Sequence, residues 1–400
     1  MISRTNGFFA ALLWALWLLP GCYASSMTDG DGDSDADGDA DSDSDVDADS
    51  DTDIDADVDS DTDADSDLVV HEWGVFTGGM ARTSPRSWLD DMADKPILYF
   101  YSDRPLTVGV SVDFPGGSAT ETWPEVSLGS TIDWPEVRVD PAACASHTPF
   151  PGIGEGQCED RWRWQCEATE LWTYVVPEAG CIQVGATTAP LIFYSGSLAP
   201  GGLPIAGSYC SIPLTSEPPD LDEPRASGVD LTLSNQGERP VGSVLLVYRD
   251  LAGQCYPWEG CDIDQAIVGV ARVDQVRPGE VVDVSFETSM FIAPEESRYI
   301  EPPDWLLAEE ATLAAEMQDA GLSRSEAEAL LAGWRHTFFD LMPDDNFISV
   351  PLGPSLEAIY LLPRDDYDEL LPIRIDPEPR TLVRVGLGLQ FLENICGVDS

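Results

Sequence analysis

Beyond Leu68 the chain alternates apolar and polar positions in short runs broken by Gly, Pro, Asn and Asp, which predicts β-strands joined by turns. "KPILYFYSD" is aromatic and β-branched, and a turn at Asp103-Arg104-Pro105 leads into the alternating run Leu106, Val108, Val110, Val112, Phe114. "ETWPEVSLG" and "IDWPEVRVD" are expected as short edge strands, because Pro124 and Pro135 each remove a ladder donor. "LWTYVVP" is expected as one more strand, closing a cysteine-rich excursion that begins near Pro141. Five further strands follow in "LIFYSGSL", "GVDLTLSN", "VGSVLLVYRD", "AIVGVARVDQV" and "EVVDVSFETS", and three close the chain in "EAIYLLPR", "LLPIRIDP" and "TLVRVGLGLQFLE". The period changes once. "PPDWLLAEEATLAAEMQDAGLSRSEAEALLAGWRHTFFDLMP" predicts two amphipathic helices, with Gly321 as a left-handed C-terminal cap. Ser323 and Glu326 form an S-x-x-E capping box, and Ala327, Leu330, Leu331, Trp334 and Phe338 share one apolar face that Pro343 ends.

The region before Leu68 follows neither period. From Asp29 to Asp67 every odd-numbered residue is aspartate, twenty in all. A segment of one charge sign with almost no large apolar residues cannot offset its ordering entropy, so it is expected to stay disordered and extended. The 46 residues from Tyr23 to Leu68 could reach about 150 Å at ~3.3 Å per residue. Asp33, Asp35, Asp37 and Gly38 match the start of an EF-hand loop, but Ser44 stands where a bidentate Glu is needed. No specific cofactor is expected; the run should attract Ca²⁺ weakly and non-specifically. Ahead of it, Arg4 precedes an apolar stretch from Phe8 to Leu19, long enough for a signal h-region and too short to span a bilayer. The stretch ends in Leu19-Pro20-Gly21-Cys22, which resembles the lipobox of bacterial lipoproteins. That resemblance implies cleavage before Cys22 and lipidation of its sulfur; Pro20 departs from the usual box, and the alternative is plain secretion with cleavage after Ala24.

Setting aside Arg4 and the twenty aspartates leaves 19 Lys+Arg against 53 Asp+Glu, a net charge of −34 with Lys95 the single lysine. Such a surface disfavours nucleic acid and anionic lipid as partners. Eight cysteines remain beyond Cys22: Cys144, Cys158, Cys166, Cys181, Cys210, Cys255, Cys261 and Cys396. An even number in an exported chain points to as many as four disulfides, with local pairing among the first four and a small loop at Cys255–Cys261. With no CxxC pair and three histidines in the chain, no structural metal site is expected.

"LTLSNQGERPVGSVLLVYRD" and "VARVDQVRPGEVVDVSF" resemble immunoglobulin-like sandwich modules of exported bacterial proteins. "VHEWGVFT", "KPILYFYSDRPLTVGVSVDFPGG", "LIFYSG", "GLSRSEAEALLAGWRHTFF" and "IYLLPRDDYDELLPIRIDPEPRTLVRVGLG" occur in that order. They are similar to a family of exported bacterial proteins with an HEWGTFT-type N-terminal motif, from which Val75 departs. The resemblance covers most of residues 70–392 and implies a domain plan but no mechanism. The expected fold is mainly β, two sandwich-like units with a helical hairpin inserted near the C-terminus. The expected segments are 1–21 signal peptide, 22–69 tether, 70–182 N-terminal β domain with the cysteine-rich loop and 183–292 immunoglobulin-like sandwich. The hairpin then takes 293–345, and 346–400 supplies strands that complete the fold.

His71-Glu72-Trp73 is the candidate tripeptide for chemistry, since a histidine beside an acid is a common acid–base pairing. Neighbours on a strand point to opposite faces, however, so these two are not expected to converge. HExxH, G-x-S-x-G, Walker and dinucleotide motifs are absent. The expectation is a non-enzymatic protein, lipid-anchored at a bacterial outer membrane or cell surface, whose ectodomain binds an envelope or extracellular partner. The alternative is an exported hydrolase of glycan or peptide with its site near His71 and Glu72.

Overall fold

In a computed structural model of the chain, the structure describes residues 67–78, 92–150, 171, 173–211, 228–256, 260–292, 300, 302–339, 341 and 353–396. These all fall in the unit Asp63–Ser400. Cys22 and the aspartate run up to residue 66 lie outside the described residues, as do Cys158 and Cys166.

The fold is mainly β. Strands β1 to β5 are Val69–Gly78, Met92–Tyr101, Leu106–Asp113, Ser118–Trp123 and Thr131–Asp140. Strands β6 to β9 are Cys181–Val184, Thr187–Ala189, Ile192–Ser197 and Ile205–Cys210. Strands β10 to β14 are Val229–Asn235, Val244–Tyr256, Gly260–Val273, Val281–Phe286 and Ser289–Ile292. Helices α1 (Asp304–Asp319) and α2 (Arg324–Phe338) form the hairpin. Then come β15 (Gly353–Leu361), α3 (Arg364–Leu370), β16 (Ile373–Asp376), β17 (Thr381–Phe391) and β18 (Glu393–Asn394).

Three sheets result. The largest has nine strands in the order β14-β12-β11-β15-β17-β1-β2-β8-β4, and two smaller ones run β13-β10-β9-β18 and β16-β3-β5-β6-β7. Segments 70–182, 183–292 and 346–400 all send strands into the nine-stranded sheet. At its middle β1 lies parallel to β17, pairing Val69 with Thr381 through Gly78 with Gln390. One face carries the hairpin: Arg249 on β11 donates to the Thr337 carbonyl at 2.9 Å, and Arg272 on β12 reaches Glu309 and Glu316 of α1 at 2.5 and 2.7 Å. The other face is covered by the small sheets, with Phe114 and Trp134 packed on Tyr194, and Tyr209 on Tyr248.

The hairpin follows its local code. Ser323 and Glu326 make both halves of the capping box, and Gly321 turns with φ +112°, a value that favours glycine. Ala327, Leu330, Leu331, Trp334 and Phe338 are all buried. Two strand expectations are corrected. The Pro135 strand is internal, flanked by β3 and β6. Proline is tolerated there because it sits where the β3–β5 register shifts, opposite the step from Val108 to Val110, so no ladder donor is missed. The segment expected as the strand "LWTYVVP" instead makes a short 3₁₀ turn about Leu171 and Tyr174. Those two residues, three apart, are both fully buried, and the Tyr174 carbonyl accepts the Tyr99 hydroxyl at 2.6 Å. Helix α3 is an element that alternation did not announce.

Candidate functional site

The pleat of β1 sends His71 and Glu72 into separate clusters on the two faces of the large sheet. On the helical face, His71 lies opposite Tyr99 of β2 and beside Val383 of β17. Its Nδ1 stands 3.1 and 2.9 Å from the two carboxylate oxygens of Glu326, and its ring centroid is 5.0 Å from that of Tyr101. The Tyr101 hydroxyl donates to Glu326 at 2.6 Å, and so does the Ser323 backbone N–H at 2.6 Å. Glu326 is therefore a fully buried carboxylate with three donors around it. Burial alone would raise its pKa, but the bonds from His71, Tyr101 and Ser323 outweigh it and hold the carboxyl below its ordinary value. Burial, and then the charge on Glu326, push the Tyr101 hydroxyl far up, so it stays a donor. The Glu326 carboxylate accepts from Nδ1–H of His71 and orients the ring, whose side chain is 15% exposed. That is the geometry of an oriented acid–base histidine.

On the opposite face Glu72 is fully buried and paired with Arg384, its direct neighbour across the parallel β1–β17 register. Tyr194 of β8 donates to the same carboxylate. Arg384 also donates to Asp368 at 2.6 Å and to the Leu371 carbonyl at 2.7 Å, and its guanidinium lies 4.0 Å from the Tyr367 ring centroid. Burial lowers the Arg384 pKa, yet the charge of Glu72 overrides it and the net shift is upward. Burial, then the charge of Glu72, raises the Tyr194 and Tyr367 hydroxyls well above their ordinary values. The Glu72 carboxylate is fully buried and bonded to Arg384 and Tyr194, so Glu72 acts as a structural anchor. The acid that pairs with His71 is Glu326, 255 residues away in sequence.

Each of the five sequence motifs contributes to these clusters: His71 and Glu72 from the first, Tyr101 from the second, Tyr194 from the third, Glu326 from the fourth, Tyr367 and Arg384 from the last. A separate buried pair, Arg249 with Glu357 at 2.8 Å, ties β11 to β15 under α2.

Among the cysteines, Cys144 is bonded to Cys181 and Cys210 to Cys396, with Cα atoms 4.7 and 4.9 Å apart. The first pairing is local among the first four cysteines, and the second joins β9 to the segment after β18 across 186 residues. The β11–β12 register sets Cys255 opposite Cys261, whose side chains lie outside the described ones. His147 is exposed on the loop after β5, and the His336 side chain lies outside the described ones. Among the described residues no group of three or more His, Cys, Asp and Glu side chains is placed to hold a metal ion.

No protein-family model matches the chain. No curated protein matches it either. Among solved structures it is similar to the yeast delta-COP-I mu-homology domain, at 7% identity over 82% of this chain and 95% of that chain, with a TM-score of 0.23. A likeness that low carries no argument about function.

Proposed function

We propose that the chain is an exported lipoprotein, held to a bacterial membrane by a lipid on Cys22, whose mainly-β ectodomain stands on the aspartate stalk and binds an envelope or extracellular partner without catalysing a reaction. One observation carries the reading. A lipobox-like Leu19–Cys22 is followed by a self-repelling spacer of twenty aspartates, then by a disulfide-bonded fold. The burial of Glu72 with Arg384 supports the non-catalytic side of it, since the acid beside His71 in sequence is committed to the core. The test is the mass of the N-terminal peptide of the mature protein. A peptide beginning at Cys22 and carrying acyl groups supports the reading; an unmodified peptide beginning at Ser25 removes the anchor.

A second reading, an exported hydrolase of glycan or peptide, is favoured by a specific contact: Nδ1 of His71 against the buried Glu326 carboxylate at 2.9 Å. In it His71 acts as general base through Nε2, Glu326 fixes its tautomer and Tyr101 supports Glu326. Hydrolysis of any oligosaccharide or peptide that His71→Asn abolishes, with the fold intact, would favour this reading over the first.

A further inference from the structure

The solvent face of the five-stranded sheet carries a groove of about 570 Å³. Along it the register aligns Thr107 with Arg138, Arg138 with Gln183 and Gln183 with Thr188. The result is one unbroken polar row across β3, β5, β6 and β7, about 14 Å long at ~4.8 Å per strand. The alternate residues Val108, Val137, Val139, Ile182 and Ala189 point inward and are buried, so the row is fixed by the packing beneath it.

The row offers both donors and acceptors. Arg138 gives Nε and Nη2 to the exposed Glu136 at 3.0 and 2.8 Å, which leaves Nη1 for another partner. Gln183 gives Nε2 to the Gly185 carbonyl at 3.1 Å, which leaves its own carbonyl as an acceptor. Threonine hydroxyls at either end serve as donor or acceptor. Arg138 and Glu136 cancel in charge, while the acidity of the whole chain repels polyanions.

Beyond the row the groove is lined mainly by apolar residues, together with the exposed Asp140. Its wall is an alanine-rich loop containing Ala142, Ala143 and Ala145. The Cys144–Cys181 disulfide pins that loop, as do bonds from Ala142 N–H to Asp140 at 2.8 Å and from Cys181 N–H to the Ala142 carbonyl at 2.9 Å. At the far end Thr148 is tied to Thr188 in both directions, at 2.8 and 3.0 Å. His147, next in sequence to Thr148, is exposed, whereas Phe150 is half-buried against Trp123, ring centroids 6.3 Å apart, and belongs to the packing beneath the loop.

A groove with donors and acceptors along its floor and small apolar residues on a disulfide-pinned wall matches a sugar chain, whose rings present hydroxyl edges and C–H faces. The geometry points to a glycan-binding groove on the β3-β5-β6-β7 face that takes a linear, neutral, hydroxyl-rich oligosaccharide. This inference rests on the reading of the ectodomain as a binding module and names the class of its ligand.

Calorimetry of the full mature chain with cellohexaose and with chitohexaose tests it. Saturable binding of at least one is expected, and Arg138→Ala combined with Gln183→Ala should weaken it about tenfold or more, two lost hydrogen bonds. Both side chains are exposed, so an unchanged unfolding midpoint will certify the variant. Asp283→Asn, on the other small sheet, should bind as the parent does. Failure of both sugars to saturate, or equal affinity in the double variant, would overturn the groove. Recovery of one envelope component by parent and double variant alike would leave the binding reading standing and remove the glycan groove alone.

Discussion

Removing one member of the Glu72–Arg384 pair should cost far more than removing both. Both side chains have no solvent exposure. In Arg384→Met the guanidinium is lost, and the buried Glu72 carboxylate keeps tyrosine hydroxyls, Tyr194 among them, in place of a countercharge. The Leu371 carbonyl and the Tyr367 ring lose Arg384 as well, and Asp368 keeps only Arg364 of its two arginine partners. An uncompensated buried charge costs about 3–5 kcal/mol, and Glu72→Leu should cost less than Arg384→Met, because Arg384 keeps Asp368, the Leu371 carbonyl and the Tyr367 ring. The double variant strands neither charge, so it should lie several kcal/mol above the sum of the singles, near ~1–2 kcal/mol of net destabilisation. Urea unfolding followed by tryptophan fluorescence gives the four free energies, with the slope held common across the cycle. Additive losses, or single losses below about 1 kcal/mol, would refute the view that the pair is a desolvated anchor between β1 and β17.

Three further outcomes follow from the same geometry. Because the folded pKa of Glu326 lies below its ordinary value of 4.5, its contribution to stability is complete above that pH and is lost as pH falls through the depressed folded value; Glu326→Gln should flatten this part of the stability–pH curve, and an unchanged acid limb would contradict it. Opening Cys210–Cys396, which spans 186 residues, should cost about 5 kcal/mol against about 4 kcal/mol for Cys144–Cys181, which spans 37, on the loop-entropy account; paired Cys→Ala variants in urea test the order, and equal or reversed costs would count against it. Replacing residues 29–67 by another acidic disordered segment of equal length should leave the melting temperature unchanged and Ca²⁺ binding weak and non-saturating, whereas one or two tight sites lost on changing Asp33, Asp35 and Asp37 to Ser would show a specific calcium site.

Local signals in the sequence carried the hairpin almost whole. The capping box, the Gly321 cap and the apolar face from Ala327 to Phe338 are encoded within one or two turns of each other, and all appear in the fold. Alternation also placed most strands, because a half-buried sheet imposes period two wherever its partner lies. It could not say which strands pair. β1 finds β17 about 300 residues away, and nothing local in "VHEWGVFT" announces a parallel neighbour. The candidate site was half legible for the same reason. His71 stood out by type, and the pleat separated it from Glu72, but its partner Glu326 looked like an ordinary capping residue until the helix docked on the sheet. Pro135 misled because a proline in a strand usually marks an edge, and the bulge that accommodates it is a property of the pair β3–β5.

The central claim is that a lipid on Cys22 holds the ectodomain at a membrane, and fractionation of the Cys22→Ala variant tests it most directly. The parent should sediment with membranes through a high-salt wash and be released by detergent, because a lipid anchor is held by apolar burial that salt does not weaken. Cys22→Ala should appear in the soluble fraction with its fold and disulfides intact. Membrane association of Cys22→Ala equal to that of the parent would contradict the account.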